Sequence, residues 1–134
     1  LFSLWQHDLL PQPFQIIGYA RSNLDQTGLH QHLRPALEKK QVPAKDLQRF
    51  LAHCSYVSGQ YEGPEGYKQL ASMMCDNEDR IFYLALPPSV FLPVGLGIHH
   101  HLLTQGSRVI VEKPFGRDSE SSALLASQLG SLFT

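Results

Sequence analysis

Val109-Ile110-Val111-Glu112-Lys113-Pro114-Phe115-Gly116-Arg117-Asp118 is the stretch whose reading decides the fold. Val109, Ile110 and Val111 are β-branched and read as a strand buried on both faces. The strand stops at a charged pair, followed by a proline and, two residues on, a glycine. In an open parallel α/β sheet, ligands sit beyond the carboxyl ends of the strands. Glu112 and Lys113 stand at such an end. Pro114 fixes its own φ and disfavours helical geometry at the residue before it, so Lys113 is expected at the strand mouth and not in the next helix.

Outward from this strand, apolar runs alternate with helical periodicity. Residues 14–20, 55–59 and 81–86 read as further short strands, the last stopped by Pro87-Pro88. Between them, Leu24, Leu29, Leu33 and Leu37 recur at near-helical spacing, weakened by Gly28 and Pro35. Val42-Pro43 opens a second helix with Leu47, Phe50 and Leu51 on its apolar face. Tyr67, Leu70, Met73 and Met74 mark a third. Ser89 is expected to cap a fourth, in which Pro93, Gly95 and Gly97 are soft spots without an evident purpose. Asp118 or Ser119 is expected to cap the last, through Leu124, Leu125, Leu129 and Leu132. Residues 1–10 read as the tail of a helix ended by Pro11 and Pro13. Short apolar strands without alternation, each followed by a helix, predict a parallel sheet with helices on both faces.

The chain has 134 residues, enough for one domain with a core. A net charge of −1 argues against a general nucleic-acid or acidic-membrane binder, which needs a basic excess. No apolar run approaches the roughly 20 residues of a spanning helix. Cys54 and Cys75 lack metal or disulfide spacing and read as reduced thiols of a cytosolic protein. The chain opens on Leu1 in an apolar run without a basic leader, which leads us to expect a fragment with material missing before it.

Two basic residues are candidates for ligand chemistry. Arg21 follows the strand at residues 14–20. In dinucleotide-binding sheets an acidic residue near the second strand end bonds the adenosine ribose, and an arginine nearby accommodates a 2′-phosphate. Guanidinium offers a planar fork to phosphate oxygens. The other reading is a solvated strand-end arginine, and the glycine-rich turn that would decide between them is not in the chain. Lys113 is either a flexible point donor to a ligand hydroxyl or carboxamide, or half of a surface pair with Glu112. The turn at Pro87-Pro88 is either a rigid connection or a platform under a flat ring. Phe91 beyond it is either an apolar wall or a helix-packing residue. His99-His100-His101 do not converge on one metal ion, because consecutive helical residues point about 100° apart. None of the histidines reads as a catalytic base, and no metal site is expected.

Four segments, in order, resemble one family. Gly18-Tyr19-Ala20-Arg21-Ser22, Ser55-Tyr56-Val57-Ser58-Gly59-Gln60-Tyr61, Phe82-Tyr83-Leu84-Ala85-Leu86-Pro87-Pro88-Ser89-Val90-Phe91 and Val111-Glu112-Lys113-Pro114-Phe115-Gly116-Arg117-Asp118 are similar to the G-Y-A-R-S, S-Y-V-x-G-x-Y, F-Y-L-A-L-P-P and E-K-P-F-G-R-D segments of the glucose-6-phosphate dehydrogenase family. The resemblance implies an incomplete Rossmann-type parallel α/β sheet with its first strand and G-x-x-G-D-L-A turn missing. Residues 1–134 would then form part of a coenzyme domain without the substrate domain. It implies oxidation of D-glucose 6-phosphate to 6-phosphoglucono-lactone with NADP, the first step of the oxidative pentose phosphate pathway. Arg21 corresponds to the residue holding the 2′-phosphate and Lys113 to the lysine contacting both coenzyme and sugar phosphate. Pro114 corresponds to a hinge proline positioning that lysine, and Phe91 to a coenzyme-contacting tyrosine of some members. The catalytic histidine and the R-I-D-H-Y-L-G-K-E segment fall beyond Thr134, so the 134 residues alone are expected to be inactive. The parent is expected to be a homodimer or homotetramer in the cytoplasm or an organelle. The competing expectation is a stand-alone, non-catalytic nucleotide-binding or interaction module.

Overall fold

The computed structural model describes residues 1–113 and 115–133. Two compact units divide the chain, Leu1–Ser58 and Gly59–Thr134. Pro114, the expected hinge, lies outside the described residues.

In the first unit the order is α1 (Phe2–Gln6), β1 (Ile16–Ala20), α2 (Gln26–Glu38), α3 (Ala44–Leu51) and β2 (Cys54–Ser58). β1 and β2 pair in parallel, Ile16 opposite Cys54 through Ala20 opposite Ser58. A parallel pair needs a crossover, and α2 and α3 supply it. Asp25 starts α2, its carboxylate accepting from the Gly28 N–H at 2.6 Å. The apolar faces of α1, α2 and α3 meet in one core of Phe2, Leu29, Leu37, Leu47, Phe50 and Leu51, closed by Cys54 at the start of β2. Phe2 meets Phe50 edge to face at 5.0 Å, an arrangement the ring quadrupoles favour. Cys54 packs here as a small hydrophobe, and burial pushes its thiol pKa up.

The second unit contains α4 (Glu65–Ser72), β3 (Ile81–Leu84), a 3₁₀ turn (Pro88–Val90), α5 (Phe91–His101), β4 (Arg108–Val111) and α6 (Ser119–Leu132). β3 and β4 are parallel, Ile81 opposite Arg108 through Leu84 opposite Val111. All four expected strands form, and the architecture is a mixed α/β one of short parallel sheets and helices. Arg80 closes the entrance to β3, donating to the carbonyls of Leu102 (2.6 Å) and Cys75 (2.8 Å).

Three local expectations are corrected. β3 and β4 are not buried on both faces: Ile81, Tyr83 and Ile110 are 63%, 54% and 45% exposed, while Leu84 on the opposite face is buried. Side chains alternate along a strand, and burial within this unit reaches only one side of the pair. Ser89 does not cap α5. It lies inside the 3₁₀ turn that runs straight into Phe91, and neither flanking cap position carries a side-chain bond. The glycines of α5 are not soft spots but packing surfaces. At Gly97 an added Cβ would fall 2.1 Å from Tyr67 Cζ, so this glycine seats the Tyr67 ring against the helix backbone. Gly95 gives similar access to Leu129 of α6.

At α6 the choice of cap falls on Asp118. Its carboxylate accepts from the Ser121 N–H at 2.8 Å, and its own N–H donates to Ser121 Oγ at 3.2 Å, a reciprocal capping box. The bond from the Ser121 backbone, then that from its hydroxyl, holds the Asp118 pKa below its ordinary value. A depressed carboxylate stabilises the fold above its unfolded-state pKa and loses that contribution as pH falls through the folded-state value. Asp118→Ala is therefore expected to lower the melting temperature at neutral pH and to converge with the native protein in acid. Melting curves across an acid series check this; a difference unchanged by acid would contradict it.

Candidate functional site

Both basic candidates stand where parallel strands end. In the first unit, β1 stops at Ala20 and exposes Arg21 in the next position. Two hydroxyls from β2 reach the turn that carries it. Tyr56 Oη donates to the Ser22 carbonyl at 2.6 Å, and Ser58 Oγ to the Arg21 carbonyl at 3.5 Å. Tyr56 lies opposite Gly18 in the parallel register. A Cβ at Gly18 would approach Tyr56 Cδ2 to 3.0 Å, so the glycine leaves the ring room beside β1.

In the second unit, β4 stops at Val111 and is followed by Glu112 and Lys113, both exposed. Register places Tyr83 opposite Ile110, and Glu112 is the next residue on the same face. The Tyr83 hydroxyl donates to Glu112 Oε1. That bond to the carboxylate, then desolvation and charge repulsion, pushes the Tyr83 pKa up. The Glu112 carboxylate is thus engaged by a tyrosine on β3.

Phe91 is 1% exposed and belongs to the core of the second unit. Of its two readings, the structure shows the packing one, with the ring inside the core. A cleft of about 460 Å³ in the same unit is walled by Tyr67, Leu96, Gly97, His100 and His101 among others, and includes neither Phe91 nor Lys113. His99 Nδ1 lies 2.7 Å from the Leu132 carbonyl, at the end of α6. Among the described residues no three His, Cys, Asp or Glu side chains gather as a metal site, and no helix is long and apolar enough to cross a membrane.

Sequence reasoning passed over Tyr56, Ser58 and Tyr83 as functional residues. A signal was available for each, since all three are hydroxyl-bearing strand residues within two positions of a carboxyl-end turn or its neighbour in register.

Parallel strand pairs joined through helices, with basic side chains just beyond their carboxyl ends, define a nucleotide-binding α/β domain. A family profile described as "Glucose-6-phosphate dehydrogenase, NAD binding domain" matches residues 1–134, and the chain belongs to that family. Glucose-6-phosphate 1-dehydrogenase of Kluyveromyces lactis is 41% identical over 100% of this chain and 29% of its own length. That of Drosophila melanogaster is 41% identical over 99% of this chain and 27% of its own length. A Drosophila simulans sequence of the same name is 40% identical over 99% of this chain and 92% of its own length. Among solved structures, a glucose-6-phosphate dehydrogenase in complex with its substrate glucose-6-phosphate superposes with a TM-score of 0.89 at 36% identity, covering 99% of this chain and 30% of that one. The Mycobacterium avium enzyme gives 0.89 at 28% identity, covering 99% and 29%. The chain thus spans less than a third of the Kluyveromyces and Drosophila melanogaster relatives.

Proposed function

We propose that this chain is the coenzyme-binding part of a dehydrogenase that oxidises D-glucose 6-phosphate to 6-phosphoglucono-lactone with NADP. The observation that carries the reading is the family match through all 134 residues, with Arg21 and Lys113 both exposed at carboxyl ends of parallel strands. The donor set fits the coenzyme: a guanidinium at one strand mouth suits a dianionic 2′-phosphate, and an ammonium at another suits a carboxamide or hydroxyl. NADP, when bound, accepts the hydride leaving C1 of the sugar. Arg21 would hold the phosphate that separates NADP from NAD. Lys113 would orient sugar and nicotinamide towards each other, so that the transfer starts from an aligned pair. None of the seven histidines follows the carboxyl end of a strand, so the base that removes the C1 hydroxyl proton is assigned outside these residues. On the same reading the working enzyme is a homodimer or homotetramer in the cytoplasm or an organelle.

Charge-assisted hydrogen bonds contribute about 1.5–3 kcal/mol. Arg21→Ala in the intact dehydrogenase is therefore expected to raise KM for NADP about 13- to 160-fold, by the same constant. KM for NAD should change less than about twofold, since NAD lacks the group Arg21 holds. Steady-state kinetics with both coenzymes check it. An equal loss for the two would make Arg21 a structural residue and remove the NADP assignment.

A further inference from the structure

We propose that Tyr56 is a specificity-determining positioning residue, which sets NADP selectivity by holding the Arg21–Ser22 turn without touching the coenzyme. The proposal rests on the reading of Arg21 as the 2′-phosphate ligand. It starts from an exposed turn outside the strand pairing. Arg21 and Ser22 lie just past the last paired residue of β1, beyond the ladder that fixes the strand. Fixing the backbone of such a turn costs conformational entropy. That cost falls on the binding step unless the free protein has already met it.

The structure meets it from the neighbouring strand. Tyr56 is two residues inside the end of β2, and its ring packs against the first unit's core. Its hydroxyl carries past the end of β1 to the Ser22 carbonyl, 34 residues away in sequence, at 2.6 Å. Ser58 adds a longer bond to the adjacent Arg21 carbonyl. Two successive carbonyls of the turn are therefore tied to β2. Gly18 permits this, since a side chain there would press on Tyr56 Cδ2. The glycine and the arginine of Gly18-Tyr19-Ala20-Arg21-Ser22 are thus linked through a third residue on another strand. The glycine seats the ring, the ring's hydroxyl fixes the turn, and the turn aims the guanidinium. Because the hydroxyl bonds a backbone carbonyl of the Arg21–Ser22 turn, its effect on the ligand runs through Arg21, and a ligand bearing the 2′-phosphate senses it most.

The test is a double-mutant cycle in the intact dehydrogenase. Tyr56→Phe removes the hydroxyl and keeps the ring. A neutral hydrogen bond contributes about 0.5–1.5 kcal/mol, which converts to about a 2- to 13-fold rise in KM for NADP. Turnover at saturating NADP and KM for NAD should each stay within about twofold, because neither depends on phosphate capture. Adenosine 2′,5′-bisphosphate should lose affinity by the same factor as NADP, and 5′-AMP should not. In an Arg21→Ala background, Tyr56→Phe should have no further effect on NADP, since residues acting through one contact are not additive. Equal losses for NADP and NAD, additive losses in the double variant, or an unchanged KM for NADP would each overturn the proposal. Failure of the underlying reading is separable: it shows as Arg21→Ala alone failing to discriminate the coenzymes. Failure of this inference alone shows as Arg21→Ala discriminating while Tyr56→Phe does not.

Discussion

Lys113→Ala in the intact dehydrogenase is expected to lower kcat about 100- to 1,000-fold, with a rise in KM for glucose 6-phosphate and a melting temperature within a degree or two of the native protein. The size follows from what the residue would do. A group that aligns two reactants governs a steep function of distance, and a misplacement of about 1 Å costs on the order of a hundredfold. The direction follows from its surroundings. Lys113 is exposed just past β4, so its removal leaves no hole in the core. The carboxylate beside it in sequence accepts the Tyr83 hydroxyl on the exposed face of the strand pair. Lys113→Arg should recover only part of the rate. A planar fork does not reproduce a compact, rotatable ammonium at a site shared by a hydroxyl and a carboxamide. Presteady-state and steady-state kinetics on the three proteins decide the matter. Turnover within twofold of native in Lys113→Ala would return the residue to an ordinary surface lysine.

The largest expected effect on stability is at Gly97. Replacing a helical glycine by alanine ordinarily stabilises, by about 1 kcal/mol, through lower backbone entropy in the unfolded chain. Here the sign should reverse. The three nearest atoms to an added Cβ all belong to the Tyr67 ring, at 2.1, 2.3 and 2.5 Å. That ring is 1% exposed, and its hydroxyl donates to the Tyr61 carbonyl at 2.9 Å, so pushing it off α5 strains that bond and the packing around the ring. Forcing an extra carbon into such a contact costs about 1–3 kcal/mol. For a chain of this length that corresponds to a drop in melting temperature of roughly 5–10 °C. Gly130 of α6 is the internal control, since nothing lies within 4 Å of its virtual Cβ. Gly130→Ala should raise the melting temperature slightly while Gly97→Ala lowers it. Thermal melts followed by circular dichroism compare the two. Equal shifts of either sign would mean that Tyr67 does not rest on α5 as described.

Much of this organisation was legible in the residues. The four strands, their order and their carboxyl-end basic residues follow from apolar runs ended by proline or charge, which are local signals. What was illegible depended on neighbours distant in sequence. Gly95 and Gly97 look like helix defects until Leu129 and Tyr67 are set against them. The run Val109-Ile110-Val111 looks buried on both sides because composition does not report how many layers cover a strand, and Ile110 is in fact exposed. Ser89 has the chemistry of a cap but falls inside a 3₁₀ turn shaped by the two prolines before it. Phe91 carries no sequence signal that separates a wall from a core residue, and packing assigns it to the core. The Tyr56 and Tyr83 hydroxyl bonds join residues 34 and 29 positions apart, which only the parallel registers bring into reach.

The connection between β4 and α6 also has a consequence in polymer terms. It is pinned at Val111 by strand pairing and at Asp118 by the reciprocal cap, with positions 112–117 between the pins. A connection of so few residues, each spanning at most about 3.3–3.6 Å, has a short reach. Any cationic head carried on it is therefore present at the strand mouth at a high effective concentration, fixed by the length of the leash and independent of dilution. The carboxylate at Asp118 sets that concentration by deciding where the leash ends.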